Sequence, residues 1–157
     1  MKLQKNIALL NDFERIYHAN MGCVILTGSL ALILHEKITE RECSDIDIVT
    51  PFFIDLSNFG DIKHIVNPYT NAFYELTMKD TGTKVHVMVD STCRHTSMQV
   101  DEVNAILKVS NYQDIFLEKF RSFLLFNTNK NKKDIEDFFR ILDGKPPVIN
   151  PEDDLPF

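Results

Sequence analysis

Two short stretches constrain this chain more than any other: Leu26-Thr27-Gly28-Ser29-Leu30-Ala31-Leu32 and Ser44-Asp45-Ile46-Asp47-Ile48-Val49. The first follows an apolar run, Cys23-Val24-Ile25-Leu26, and reads as a strand that turns sharply at Gly28 into a helix. Glycine at such a corner adopts backbone angles closed to other residues. The N–H groups at the start of the helix then face a ligand, and phosphate is the favoured one. The second stretch sets two carboxylates at i and i+2 among β-branched residues, so in a strand Asp45 and Asp47 share one face. Two like charges a few Å apart repel by roughly 4 kcal/mol at an effective dielectric near 20, which a cation between them relieves. Mg²⁺ is the usual cation where carboxylates and phosphate oxygens meet.

Gly28-Ser29 followed by Asp45-Ile46-Asp47 resembles the nucleotidyltransferase superfamily of the polymerase-beta-like fold. The chain is most similar to the small AbiEii-like nucleotidyltransferases, which include toxins of toxin–antitoxin systems. The resemblance runs over about residues 5–142, with a longer gap between Ser29 and Asp45 than is common there, so an extended loop is expected before the aspartate strand. It implies an α+β fold: a mixed sheet flanked by helices, closed by two C-terminal helices. It also implies an enzyme that moves a nucleoside monophosphate from a nucleoside triphosphate to a hydroxyl of a protein, RNA or small molecule. Gly28, Ser29 and Lys119 then hold the triphosphate, and Asp45 and Asp47 bind Mg²⁺ or Mn²⁺ and serve catalysis. The solvated face of an ordinary strand is the other reading of the two aspartates.

Composition sets the outer limits. At 157 residues, 44% hydrophobic and 25% charged, the chain is expected to form one globular domain over 1–143, with a tail over 144–157. No apolar run approaches a membrane span, and the N-terminus leads into a mixed segment rather than a signal-peptide core. Cys23, Cys43 and Cys93 are odd in number with no C-x-x-C spacing, which reads as reduced thiols in a cytoplasmic protein. The net charge of −6 argues against direct DNA binding by a broad basic surface.

In order, Ile7, Leu10, Phe13 and Tyr17 recur at helical spacing and predict a helix over 5–18. Strands are predicted over 22–27 and 45–50, the latter stopped by Pro51, with Ser29 placed to cap the helix between them. His35 to Glu42 reads as a charged loop or frayed helix end. Further strands are expected over 62–66, 72–78 and 84–90, with a glycine-containing hairpin loop over 80–83. Residues 52–61 and 91–104 give no clear pattern. Residues 106–109 read as a short edge strand, and helices are predicted over 112–126 and 132–142 around a polar loop, 127–131.

Three further features carry chemistry. The resemblance implies a third carboxylate on a neighbouring strand, and His86 stands at that position. Imidazole is a poor Mg²⁺ ligand but suits Mn²⁺ or Zn²⁺, and a neutral His86 is competent to take the acceptor's proton as a general base. The alternative is a histidine packed in a retired site. Asp90 shares its face two steps along, and Glu75, on the hairpin partner, is a less aligned substitute. Lys119 borders the apolar stripe of Tyr112, Phe116, Phe120 and Phe123, so it either snorkels outward or meets a negative partner. Lys133-Asp134-x-x-Asp137 resembles the closing pattern of the family, with Asp137 as an orienting or structural group, although an i, i+4 surface pair explains Lys133 and Asp137 equally well.

The extreme C-terminus, Glu152-Asp153-Asp154-Leu155-Pro156-Phe157, is similar to the acidic tip of bacterial single-stranded-DNA-binding proteins. Phe157 offers an aromatic anchor and a free carboxylate, Pro156 limits the entropy lost on docking, and the acidic residues steer. The resemblance implies a contact with replication or repair proteins. A second reading of the whole chain follows: a degenerate nucleotidyltransferase fold that serves as an adaptor. A solvated or folded-back acidic tail is the plain alternative for the tip itself.

Overall fold

The structure is a computed structural model that describes residues 1–64, 72–126 and 129–144. Its elements are α1 (Gln4–Ala19), β1 (Ile25–Thr27), α2 (Gly28–Leu34), β2 (Asp45–Thr50), β3 (Gly60–His64), β4 (Ala72–Met78), β5 (Lys84–Val89), β6 (His95–Val100), β7 (Ala105–Ser110), α3 (Tyr112–Phe126) and α4 (Asn129–Leu142). The strands form one mixed seven-stranded sheet in the order β3-β4-β5-β2-β1-β7-β6. The expected α+β architecture, a mixed sheet flanked by helices with two helices at the C-terminal end, is the one observed.

Burial follows the alternation in the strands. Ile46 and Ile48 of β2 and Val85 and Val87 of β5 point into the core, where they meet Leu10, Phe13 and Ile16 of α1 and Leu30 and Leu32 of α2. The opposite face of the same strands carries Asp45, Asp47 and His86, all half-buried. Leu30 to Ile33 of α2 are apolar and buried, and β1 turns directly into the helix at Gly28 (φ +73°).

Several local expectations are corrected. The first strand is shorter than 22–27 and begins at Ile25. Residues 106–109 do not form an edge: β7 pairs with β1 on one side and β6 on the other, because the patternless stretch 91–104 supplies β6 as the true edge. The strand expected over 62–66 starts earlier, at Gly60, and residues 65 and 66 lie outside the described residues. The last helix starts at Asn129, so all of the described part of the predicted polar loop is helical. Ser29 does not cap α2, which begins at Gly28, and its hydroxyl is used elsewhere. The tip residues Glu152, Asp153, Asp154, Leu155, Pro156 and Phe157 lie outside the described residues. Among the described residues, no helix is long and apolar enough to cross a membrane.

Candidate functional site

A cleft of about 740 Å³ opens between the polar face of β2 and β5, the β1–α2 turn and the cleft-facing side of α3. Gly28, Asp47, His86 and Lys119 line its inner end together with Asn131 of α4. The outer end is bounded by Asp90 to Arg94 and by α3 from Asp114 to Ser122. Asp45 and Ser29 do not line it.

Register explains the convergence. Thr27 of β1 pairs with Asp47 of β2, and Asp47 pairs with His86 of β5. Gly28 follows Thr27, so the turn is brought against the Asp47 side chain. A β-carbon built on Gly28 would lie 2.2 Å from Asp47 Oδ2. Only glycine fits both that space and the positive φ.

His86 is held between two carboxylates. Its Nδ1 lies 3.4 Å from Asp47 Oδ1, and its Nε2 lies 3.0 Å from Glu75 Oε2. The hydrogen bond to Asp47 raises its pKa to about 9. Burial opposes the rise, while the Asp47 charge, the Glu75 hydrogen bond and the field of Asp45 support it. At neutral pH the ring is therefore an imidazolium. In the metal-free chain His86 thus holds its proton between the two carboxylates. Glu75 is also better placed than the sequence suggested, directly opposite His86 in the β4–β5 ladder.

Lys119 meets a negative partner rather than snorkelling. It is 8% exposed. Its Nζ reaches Asp134 Oδ2 at 2.9 Å, Ser29 Oγ at 3.3 Å and Asn131 Oδ1 at 3.4 Å. Asp134 is almost fully buried and also receives Arg41 Nη2 at 3.0 Å and the Ser29 hydroxyl at 2.9 Å. Burial pushes the Asp134 carboxyl up, but the charges of Lys119 and Arg41 with their hydrogen bonds outweigh it and hold the pKa below the usual range. Ser29 thus supports the turn from beneath, its hydroxyl donating to Asp134 and accepting from Arg41 Nη2 at 3.0 Å. Asp137 accepts from the Thr39 amide and, at 3.0 Å, from the Thr39 hydroxyl. Together Asp134 and Asp137 tie the long connection before β2 to α4.

Arg41 was missed by sequence reasoning because it sits in a run of charges that reads as solvated loop. Asp134 was legible only as part of a resembling pattern, although its place beside the α4 stripe of Ile135 and Phe138 is the same signal that singled out Lys119.

Among the described residues, no three His, Cys, Asp or Glu side chains surround a common point. Asp45 and Asp47 nonetheless put two carboxylates on one strand face, which is the protein share of a Mg²⁺ shell completed by phosphate oxygens and water. Of the two carboxylates, Asp47 alone lines the cleft.

No protein-family model and no curated protein sequence matches the chain. Solved structures do. One is an antigenic nucleotidyltransferase-like protein from Paracoccidioides brasiliensis, at 13% identity and TM-score 0.50 over 94% of this chain and 79% of that one. Another, described as a nucleotidyltransferase candidate from Thermotoga maritima, gives 19% identity and TM-score 0.51 over 87% of this chain and 93% of that one. At such identities the likeness is one of fold, and the chain has a nucleotidyltransferase-like fold.

Proposed function

We propose that this protein is a nucleotidyltransferase of the AbiEii-like kind, which transfers a nucleoside monophosphate from a nucleoside triphosphate to a hydroxyl of a protein, RNA or small molecule. The observation that carries the reading is the convergence of Gly28, Asp47, His86 and Lys119 on one cleft within this fold. The β1–α2 turn offers its backbone N–H groups to the phosphates. Asp47 in the cleft, with Asp45 on the same strand face, would hold the Mg²⁺ or Mn²⁺ that accompanies the nucleotide, which would supply charge neutralisation at the phosphate oxygens. Lys119 adds a fixed positive charge beneath the turn, and its long bond to Asn131 is the one most readily exchanged for a phosphate oxygen. His86 presents Nδ1 to Asp47 at 3.4 Å, and as a neutral ring it would take the acceptor's proton as a general base. A cytoplasmic enzyme of toxin–antitoxin type is the setting that the resemblance supports.

Incubating the purified protein with each of four labelled nucleoside triphosphates, Mg²⁺ or Mn²⁺ and a cell lysate tests this. Label should pass to an acceptor, and Asp45→Ala with Asp47→Ala should abolish the transfer. Absence of label with every nucleotide and both metals overturns the reading.

A second reading, the adaptor, is favoured by His86, a histidine where the resembling enzymes carry a carboxylate. In that reading the tip at Asp153, Asp154, Leu155, Pro156 and Phe157 binds replication or repair proteins. Deleting Phe157 should then abolish capture of those proteins, and raised salt should weaken it. Equal capture by the truncated chain removes the partner role of the tip.

A further inference from the structure

We propose that Glu75 is a positioning residue of the cleft that acts through His86, and that it fixes which edge of the imidazole ring faces Asp47. The inference rests on the transferase reading above for its catalytic consequence, and on geometry alone for the positioning.

Glu75, His86, Asp47 and Thr27 form one row across the four neighbouring strands β4, β5, β2 and β1. Glu75 does not line the cleft, and its side chain is only 18% exposed. A carboxylate so placed on an inner strand is costly unless it is paired. His86 is the partner that Glu75 has among the described residues, and at 3.0 Å this bond is shorter than the 3.4 Å contact between His86 and Asp47. With Nε2 committed to Glu75, Nδ1 is the nitrogen left to face Asp47 and the cleft. Without this anchor the ring is held only by the longer contact to Asp47, and its side-chain bonds can turn further.

The backbone provides independent support. Ala72 pairs with Met88, and an unbroken antiparallel ladder from that pair would set Tyr74 opposite His86. A register shift between Ala72 and Tyr74 instead pairs Tyr74 with Val87 and Glu75 with His86. A one-residue irregularity of this kind re-aims side chains, and such irregularities concentrate beside active sites. Here it exchanges a buried tyrosine, whose hydroxyl donates to the Ile54 carbonyl at 2.6 Å, for a carboxylate behind the ring. Glu75 thus stands to His86 as an outer carboxylate stands to the histidine that it orients.

The test compares wild type with Glu75→Ala, Glu75→Gln and Glu75→Asp by two readouts. The first is the NMR signal of the His86 Nε2 proton, assigned with His86→Gln. It should be slowly exchanging in wild type, retained in Glu75→Gln, whose amide oxygen still accepts, and lost in Glu75→Ala. The second is turnover against nucleotide affinity. Glu75→Ala should lower kcat about 10- to 100-fold with less than about threefold change in nucleotide Kd, and Glu75→Gln or Glu75→Asp should recover part of the loss. If Glu75→Ala keeps the proton signal, or keeps wild-type kcat, the proposal is overturned. If wild type itself transfers nothing, the transferase reading fails, while the proton signal still decides whether Glu75 positions His86. Should Glu75→Ala not fold, Glu75→Asp decides: its shortened carboxylate should speed exchange of the proton, and exchange unchanged from wild type overturns the proposal.

Discussion

Gly28 and Asp47 meet so closely that the missing side chain of one is the space occupied by the other: a β-carbon on Gly28 would stand 2.2 Å from Asp47 Oδ2. Gly28→Ala therefore forces either the turn or the carboxylate to move, and it must also adopt a positive φ. The strained backbone alone costs about 1 kcal/mol or more. Thermal melting should show a lowered Tm, and nucleotide affinity should fall at least tenfold. A stable Gly28→Ala protein with unchanged affinity would remove the turn from the site.

Asp134 is the common counter-ion of two cations, Lys119 and Arg41, that approach from different elements. Removing it leaves both without their shared counter-ion, and breaking a buried pair in this way costs about 3–5 kcal/mol. Asp134→Ala should lose stability on that scale in urea denaturation. Asp137→Ala, which loses only the exposed Thr39 contacts, should lose far less. Equal losses would mean that α4 is held by packing rather than by the buried charges.

The pH dependence of stability has two limbs. His86, with its pKa raised to about 9 by the Asp47 hydrogen bond first of all, binds its proton more tightly folded than unfolded. Its contribution is complete below an ordinary histidine pKa of about 6.5 and fades as pH rises through about 9. Asp134, held below its ordinary value, contributes above the usual carboxylate range and fades as pH falls through its lowered pKa. Denaturation of the metal-free protein across this range should therefore show a decline between neutral and alkaline pH. His86→Gln should flatten that decline and leave the acid limb in place. An unchanged alkaline decline in His86→Gln would show that the ring is not the group responsible.

What the sequence reveals, and what it hides, divides by range. The Gly-Ser turn, the Asp-x-Asp strand and the alternation of Lys84 to Val89 are local patterns, and each lies where the pattern puts it. The edge was misread because β6, His95 to Val100, carries mostly polar side chains on an exposed hairpin, so it lacks the apolar alternation that marks its neighbour β7. The cluster of Ser29, Arg41, Lys119 and Asp134 joins residues as much as 105 positions apart. No spacing rule reaches that far. Glu75 looked misaligned because a register shift in β4 decides its partner, and such a shift leaves no mark in a seven-residue run of strand-forming residues.

The central claim is that the cleft at Gly28 and Asp47 binds a nucleoside triphosphate with its cation. Calorimetric titration of each of the four nucleoside triphosphates, with Mg²⁺ and separately with Mn²⁺, into wild type and Asp47→Asn tests it most directly. The account predicts that at least one nucleotide binds wild type in the presence of a cation, and that Asp47→Asn weakens this binding at least tenfold while remaining folded. No binding by any nucleotide with either cation, or equal binding by both proteins, would contradict it.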